Sequence, residues 1–193
     1  MSTDTFIDLL RHGETSGGAC LRGSIDDALT EFGLSQMRAA IDQRDPCWDH
    51  IISSPLKRCA DFAHELARQH SIALTVDRRF QEIHFGQWEG CFVEDLMKTD
   101  ADALTNFWND PVKYTPPEAE PLLDFEVRIV AAWQEIIARH AGEKILLVTH
   151  GGVIRLLLCH ILNHPVRRML EFEVKHAAIE HIHIKQDGAL LRL

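Results

Sequence analysis

Two segments of the sequence place a histidine and a glycine directly after an apolar run. They are residues 9–13 (LLRHG) and residues 147–152 (LVTHGG). Each segment predicts a buried strand with a histidine at its carboxyl end, and the carboxyl ends of parallel strands share one edge of a sheet, where ligands bind. If the two strands are neighbours, His12 and His150 face each other there. The glycines, Gly151 among them, let the backbone approach a bound group.

Arginines accompany the two histidines. Arg11 directly precedes the first, and Arg58 lies in the first turns of a predicted helix that follows the strand at residues 50–53. Arg155, on the helix after the second histidine, could reach the same edge or lie on the surface. A guanidinium group suits phosphate oxygens, and a neutral imidazole oriented by a hydrogen bond is a competent nucleophile. The pattern therefore predicts phosphoryl transfer through a histidine, with cations stabilising the equatorial oxygens.

Phosphoryl transfer to a histidine also needs a proton donor for the leaving oxygen. Glu82 and Glu89 are the candidates, in the segment 81–90 (QEIHFGQWEG). A carboxyl group enclosed by aromatic side chains in a cleft is a typical general acid. The residue types alone leave the choice between these two glutamates open.

The elements that position these residues alternate along the chain. Thr30 is a good N-cap for a helix that runs to about Gln43, and Ser54 with Pro55 predicts the start of the next helix, to about Gln69. Further helices are predicted at 122–140 and 151–162, and strands at 5–10, 50–53, 73–76, 144–149, 174–176, 179–184 and 190–193. The order predicts an α/β fold, a three-layer α/β/α sandwich with a mostly parallel central sheet.

The chain has 193 residues, of which 46% are apolar and 25% charged. These values predict one globular domain over residues 1–193, with a small cap formed by about residues 84–121, where short apolar helices and prolines interrupt the pattern. The formal net charge of −9 argues against a nucleic-acid or anionic-membrane partner. Any bound phosphate must therefore be held by a local cationic pocket.

Cellular location is predicted from what the sequence lacks and from its cysteines. The first residues have no basic stretch typical of a secretory signal, and no apolar run approaches the roughly 20 residues that span a bilayer. The five cysteines are scattered, which predicts reduced thiols and a cytoplasmic protein. We expect a small-molecule phosphomonoester as the partner. A homodimer is compatible with the sequence, which does not specify the oligomeric state.

Twelve histidines invite a metal hypothesis. His160 and His164 are four residues apart near a predicted helix end, and His181 and His183 share one face of a predicted strand. Such spacing can ligate zinc, but no carboxylate or cysteine completes either set. We therefore expect no metal and no cofactor.

The sequence resembles the histidine phosphatase superfamily, which has the phosphoglycerate-mutase-like fold. The resemblance rests on four blocks in family order: 10–15 (LRHGET), 53–59 (SSPLKRC), 82–90 (EIHFGQWEG) and 148–152 (VTHGG). It implies that His12 is the nucleophile, that Arg11, Arg58 and His150 bind the phosphoryl group, and that Glu82 is the proton donor. Many members have asparagine six residues after the nucleophile, where this chain has Gly18, so one phosphate contact is missing or is supplied from elsewhere.

Within the superfamily the chain is most similar to the alpha-ribazole phosphatases of cobalamin assembly. The similar segments are 21–30 (LRGSIDDALT), 85–90 (FGQWEG) and 122–126 (LLDFE). The resemblance implies a phosphatase acting on alpha-ribazole 5'-phosphate, with Arg22 and Ser24 either lining the substrate entrance or closing a loop. A broad-specificity phosphatase for sugar phosphates or nucleotides, a phosphoglycerate-mutase-like enzyme and a silent phosphate-binding module are the alternatives.

Overall fold

Six strands form one sheet in the computed structural model, which describes residues 4–42, 47–185 and 190–192. In chain order the strands are Thr5–Arg11 (β1), His50–Ser53 (β2), Ala73–Val76 (β3), Lys144–Thr149 (β4), Ile179–Ile184 (β5) and Leu190–Arg192 (β6). Their order in the sheet is β3-β2-β4-β1-β5-β6. The first four strands are parallel, whereas β5 runs antiparallel to β1 and β6 antiparallel to β5. The predicted mostly parallel sheet is confirmed.

Within the described ranges, six α-helices accompany these strands. They are Glu31–Asp42 (α1), Lys57–His70 (α2), Val93–Thr99 (α3), Ala101–Asn109 (α4), Leu122–Arg139 (α5) and Gly151–Ile161 (α6), together with short 3-10 turns at Arg78–Phe80, Gly86–Trp88 and Val166–Glu171. Thr30 caps α1 as predicted, because its hydroxyl accepts a hydrogen bond from the backbone N–H of Gly33 at 2.9 Å. The predicted end of α1 at Gln43 lies outside the described residues. So does Leu193, the predicted end of the last strand.

Alternate side chains of the central strands enter two separate cores. Ile7 and Leu9 of β1 pack with α5 and α6 on one face, as part of a cluster that includes the fully buried Trp133. Leu10 packs with α1 and α2 on the other face, in a cluster that includes Met37. Successive strand residues point to opposite faces of a sheet. The helices therefore cover both faces, and the predicted three-layer α/β/α fold is confirmed.

Residues 84–121 hold a third apolar cluster outside the two sheet cores. It is formed by Trp88, Leu96, Leu104 and Phe107, and the rings of Trp88 and Phe107 meet edge to face with centroids 5.6 Å apart. This cluster joins the 3-10 turn at Gly86–Trp88 to α3 and α4. A cap function for this segment, and a single domain over the whole chain, stay predictions. None of the helices in the described ranges is long and apolar enough to cross a membrane.

The start of one predicted helix and one predicted strand are wrong. The helix expected to start at Ser54 and Pro55 is present but begins at Lys57, and the Ser54 hydroxyl contacts the ring of His150 at 2.7 Å as well as the backbone N–H of Leu56 at 3.4 Å. Residues 174–176 form no strand, because the carbonyl of Val174 accepts a hydrogen bond from Arg11 and the chain then turns. Both positions serve contacts with residues far away in the sequence, which the local pattern does not reveal.

Candidate active site

The strands β1 and β4 bring the two histidines together. Arg11 and Thr149, the last residues of these strands, are register partners, so His12 and His150 follow at the same edge. The backbone N–H of His12 donates to the carbonyl of Thr149 at 3.0 Å, and the two imidazole centroids lie 5.3 Å apart. His150 is fully buried and His12 is only 6% exposed. The segments 9–13 and 147–152 thus bring their histidines together in one buried site.

The ring of His12 is oriented by the backbone. Its Nδ1 lies 2.8 Å from the carbonyl oxygen of Gly13, which can only accept a hydrogen bond, so Nδ1 carries the proton. In the neutral ring Nε2 then holds the free electron pair. Burial lowers the pKa of His12 well below its usual value, and the Arg58 guanidinium lowers it further. The imidazole is therefore neutral near neutral pH and presents one nucleophilic nitrogen.

His150 is held in the opposite tautomer. Nε of Arg58 donates to its Nδ1 at 3.2 Å, and an arginine N–H can only donate. Its Nε2 therefore carries the proton and donates to the hydroxyl of Ser54 at 2.7 Å. Burial, followed by the charge of Arg58, lowers the pKa of His150 well below its usual value. Sequence reasoning missed Ser54 as a site residue, because the Ser-Pro pair indicated a helix cap.

Arg58 is fully buried at the start of α2. Its Nη1 donates to the carbonyl of Ile25 at 2.6 Å and its Nη2 to the carbonyl of Gly23 at 2.7 Å. With the contact to His150, three of the five N–H groups are used, which leaves two for a ligand. Burial lowers the pKa of Arg58 but leaves it a cation at neutral pH.

Arg11 is the second arginine that interacts with both histidines. Its Nη1 donates to the carbonyl of Val174 at 2.6 Å, while its buried Nε has no acceptor among the described residues. Burial lowers the pKa of Arg11 to about 10, although the carboxylate of Glu82 acts in the opposite direction. An unsatisfied buried donor is costly, and an anionic ligand oxygen could satisfy it.

Glu82 meets the amino terminus of α6. Its Oε2 accepts a hydrogen bond from the backbone N–H of Gly152 at 2.8 Å, and its Oε1 accepts one from Ile83 at 3.0 Å. A side chain on Gly152 would collide with this carboxylate, so the close approach requires glycine there. The contacts fix one carboxylate beside the cationic site, at the end of the helix where negative charge is favoured.

Glu89, the other candidate acid, is engaged by backbone amides. Its two oxygens accept hydrogen bonds from the N–H groups of Gly23, Ser24, Ile25 and Phe85, at 2.9 to 3.2 Å. Four backbone donors converge on this carboxylate, which ties the loop at residues 23–25 to the segment around Phe85. The structure therefore gives the two glutamates different surroundings, a difference that the sequence did not predict.

The remaining predicted residues belong to the loop after His12. Arg22 is bound within that loop, since its Nε donates to Asp27 at 2.7 Å and its Nη1 and Nη2 to the carbonyl of Gly18 at 3.2 Å. Gly18 has a φ of 72°, a backbone conformation that glycine adopts readily and asparagine tolerates. Ser24 is exposed and donates its backbone N–H to Glu89.

His176 is a site residue that sequence reasoning missed. Its ring lies 5.7 Å from the ring of His12, and it is exposed in the turn before β5. Because β5 is antiparallel to β1, the amino end of β5 lies beside the carboxyl end of β1. Although part of the residue stays exposed, partial desolvation of the ring and then the charge of Arg11 lower the pKa of His176. Sequence reasoning missed His176 because the antiparallel pairing of β5 with β1 brings it to the site, and no local sequence pattern identifies that pairing.

A cavity of about 150 Å³ opens beside Glu82. Its lining is mostly apolar and includes Leu21, Phe85, Phe107, Trp108, Glu82, Gly152 and Arg155. Arg155 is half-buried, donates to the carbonyl of Phe172 at 2.8 Å and has an Nη1 within 3.1 Å of the point where a Gly151 side chain would begin. The cavity is therefore apolar over most of its wall and cationic toward the histidines.

Two of the histidines considered as zinc ligands contact carboxylates. His183 contacts Asp4 at 2.9 Å and His164 contacts Glu171 at 3.3 Å. Among residues 4–42, 47–185 and 190–192, no three or more histidine, cysteine, aspartate or glutamate side chains are grouped so that they could hold a metal ion.

Comparison with known proteins identifies relatives along nearly the whole chain. The model of the histidine phosphatase superfamily (branch 1) matches residues 7–193. Glucosyl-3-phosphoglycerate phosphatase from Mycobacterium tuberculosis is 30% identical over 171 residues, which cover 82% of this chain and 75% of the relative. The structure of YhfR from Bacillus stearothermophilus superposes with a TM-score of 0.87 at 29% identity, covering 97% of this chain and 95% of that one.

A second solved structure is also similar. The alpha-ribazole phosphatase from Shigella flexneri superposes with a TM-score of 0.81 at 28% identity, covering 97% of this chain and 95% of that one. The four sequence blocks, the three-layer fold and the family match agree with one another. The chain belongs to branch 1 of the histidine phosphatase superfamily and is a phosphatase.

Proposed function

We propose that the chain hydrolyses phosphomonoesters by transferring the phosphoryl group first to Nε2 of His12 and then to water. The observation that carries this proposal is the 2.8 Å contact between Nδ1 of His12 and the carbonyl of Gly13. It leaves Nε2 unprotonated in a buried ring beside two arginines. A neutral, oriented imidazole in a cationic site is suited to attack phosphorus.

The two arginines stabilise the charge of the phosphoryl group during the transfer. Arg58 keeps two N–H groups for its oxygens, and the buried Nε of Arg11 lacks an acceptor among the described residues. As Nε2 of His12 bonds to phosphorus, the bond between phosphorus and the leaving oxygen breaks. The ring of His150 lies 5.3 Å from that of His12, and it contributes by holding Arg58 through Nδ1 while its Nε2 donates to Ser54.

Glu82 supplies and then recovers the proton. It lines the cavity and interacts electrostatically with Arg11 and Arg58, and in its protonated form it can donate to the leaving oxygen. The resulting carboxylate then accepts a proton from the water that attacks phospho-His12. That second step breaks the N–P bond, releases inorganic phosphate and restores both residues. The guanidinium groups supply the cationic charge, so we propose that no metal or other cofactor takes part.

Quenching the reaction in the first turnover tests the covalent step. Mixing enzyme with radiolabelled substrate, quenching and measuring protein-bound label should give acid-labile, base-stable phosphoprotein. His12→Asn should form none and should lose turnover by about three orders of magnitude or more. His70, exposed at the end of α2, provides the control variant His70→Asn, which should behave as the parent does. A parent that binds phosphate but forms no phosphoprotein would indicate the silent binding module.

We propose alpha-ribazole 5'-phosphate as the substrate, which would place the protein in cobalamin assembly. The support is the apolar cavity next to Glu82, where Phe85, Phe107 and Trp108 can contact an aromatic leaving group. The similarity to the Shigella flexneri alpha-ribazole phosphatase and the shared segments at 21–30 and 122–126 point the same way. The cytoplasm is the location we propose, since all five cysteines are free thiols.

A second candidate is a phosphate ester whose leaving group carries a carboxylate. The cavity shares Trp108, Arg155 and Leu170 with an outer groove of about 430 Å³ that also contains Arg167 and Arg168. Arg168 is paired with Glu171, whereas Arg167 is exposed. This groove could receive an anionic group, and one relative is named glucosyl-3-phosphoglycerate phosphatase.

A substrate panel in the presence of EDTA separates these candidates. We would compare kcat/KM for alpha-ribazole 5'-phosphate, sugar phosphates, nucleotides and 3-phosphoglycerate. A preference of about a hundredfold for the ribazole, equivalent to about 2.7 kcal/mol, supports the cobalamin substrate. A preference for 3-phosphoglycerate that Arg167→Gln abolishes supports the carboxylate substrate. A flat profile indicates a general phosphatase, and activity lost in EDTA would contradict the metal-independent mechanism.

A further inference from the structure

Glu89 and Arg58 hold the same short loop from two sides. The carboxylate of Glu89 accepts the backbone N–H groups of Gly23 and Ile25 at 3.1 and 3.2 Å. The carbonyl groups of those two residues accept hydrogen bonds from Arg58 at 2.7 and 2.6 Å. Gly23 and Ile25 therefore each link Glu89 to Arg58, because the backbone N–H of the residue contacts the glutamate and its carbonyl contacts the arginine.

The contacts on Glu89 leave little freedom to the loop. The carboxylate also accepts the N–H of Ser24 at 3.0 Å and that of Phe85 at 2.9 Å, so the loop is tied to the segment on the far side of the carboxylate. Hydrogen bonds from backbone N–H groups to an ionised carboxylate are stronger than those between neutral partners. The loop carbonyls are consequently fixed in position before any ligand arrives.

Arg58 depends on those carbonyls for its orientation. The guanidinium is planar and carries its N–H groups in a rigid fork, so holding Nη1 and Nη2 at two carbonyls fixes the directions of the remaining donors. The third contact, from Nε to His150, then fixes the plane of the group. A loop shifted by an ångström would turn the free N–H groups away from a phosphoryl oxygen.

We propose that Glu89 is a positioning residue that acts through the loop at residues 23–25 to orient Arg58 toward the phosphoryl group. The proposal rests on the proposed function, in which Arg58 binds that group. Glu89 is not the acid in this proposal, because its oxygens are occupied by four backbone N–H groups and it is absent from the wall of the cavity that Glu82 lines. In this proposal Glu82 donates the proton and Glu89 positions Arg58.

A double-mutant cycle between Glu89 and Arg58 tests the proposal. Glu89→Gln should lower kcat/KM for p-nitrophenyl phosphate by about 10- to 100-fold and weaken competitive inhibition by orthovanadate by a similar factor. In the Arg58→Ala background the same change should cost less than about twofold, because the residue it positions is gone. Glu143→Gln, at the opposite edge of the sheet before β4, is the control and should match the parent.

Chemical rescue gives a readout that a general loss of stability would not reproduce. Added guanidinium should restore activity to Arg58→Ala, since the carbonyls of Gly23 and Ile25 still form its binding place, and should fail to do so when Glu89→Gln is also present. If Glu89→Gln does not fold, Glu89→Asp keeps the charge on a shorter side chain and should show a smaller loss with the same dependence on Arg58.

The results that overturn the proposal are distinct from those that overturn the proposed function. Equal losses from Glu89→Gln with and without Arg58 would exclude positioning through that residue. A loss much larger for phenyl phosphate than for p-nitrophenyl phosphate would make Glu89 the acid. Missing phosphoprotein in the parent would overturn the covalent mechanism alone, because orthovanadate binding would still report whether Glu89 orients Arg58.

Discussion

Nε of Arg58 lies 3.2 Å from Nδ1 of His150, so a permanent cation donates directly to a buried imidazole. A protonated His150 would place two hydrogens against each other at this contact, and burial disfavours the charged ring as well. The same guanidinium lowers the pKa of His12. Arg58 thus keeps both histidines neutral while it remains available to an anion.

The first prediction concerns the protonation of these rings. In 15N-labelled protein, His12 and His150 should keep the nitrogen shifts of neutral imidazole well below pH 6.5, because burial and Arg58 lower the pKa of each. The resonances of the exposed His70, recorded in the same samples, serve as the internal reference. Neutral His12 should further show a protonated Nδ1, and neutral His150 a protonated Nε2. Titration of either ring at or above pH 6.5 would contradict the account of the site.

The second prediction tests Glu82 as the general acid by varying the leaving group of the substrate. Glu82→Gln should lower kcat for phenyl phosphate by about 100-fold or more, since the phenolate leaves poorly without a proton. For p-nitrophenyl phosphate, which needs little protonation, the loss should be less than about tenfold. Steady-state kinetics over a series of substituted phenyl phosphates measures this dependence. Equal losses for all leaving groups would remove Glu82 from the role of acid.

The parts of the fold that local pattern determines were predicted from the sequence. The strand β4 has the predicted bounds, Lys144–Thr149, because a strand buried on both faces reads as an unbroken apolar run. The same reasoning placed β1 and the two histidines at one edge, where the structure brings them together with Arg11 and Arg58. Parallel pairing of the two strands completes that arrangement.

Contacts between segments that are distant in the sequence could not be predicted from local patterns. Ser54 satisfies the local signature of a helix cap, yet its hydroxyl contacts His150, which lies 96 residues away. His176 reaches His12 through the antiparallel pairing of β5, for which no local signal exists. Glu82 and Glu89 have similar sequence surroundings, and only the position of Gly152 and of the loop at 23–25 separates them.

The third prediction concerns the glycine that contacts the acid. Gly152→Ala places a methyl group where the carboxylate of Glu82 lies, so the hydrogen bond from the backbone of residue 152 to Glu82 should break. The variant should reproduce the leaving-group dependence of Glu82→Gln, with a loss of about tenfold or more for phenyl phosphate. In Gly151→Ala the new methyl group meets Arg155 at 3.1 Å and Nε of Arg11 at 3.3 Å but not Glu82, so any loss should be equal for all leaving groups and the leaving-group dependence should stay that of the parent. Identical behaviour of the two variants would contradict this assignment.

The fourth prediction links the buried histidines to stability in acid. In the unfolded chain each histidine binds a proton near pH 6.5, whereas the folded state holds His12 and His150 neutral to a lower pH. The unfolded state therefore binds more protons in this window, and the free energy of unfolding must fall as the pH drops below about 6.5. Each histidine contributes a slope of up to about 1.4 kcal/mol per pH unit, until the pH reaches its folded-state pKa.

Urea denaturation at a series of pH values measures that slope. Replacing one histidine by asparagine removes a group that protonates on unfolding, so His12→Asn and His150→Asn should each flatten the dependence below pH 6.5, even where the variant is less stable at pH 7. His70→Asn should leave the slope unchanged, because the side chain of His70 is exposed to solvent in the folded chain as it is in the unfolded chain. A parent whose stability does not change between pH 6.5 and 5 would show that these rings accept protons in the fold, and the neutral nucleophile would then have to be abandoned.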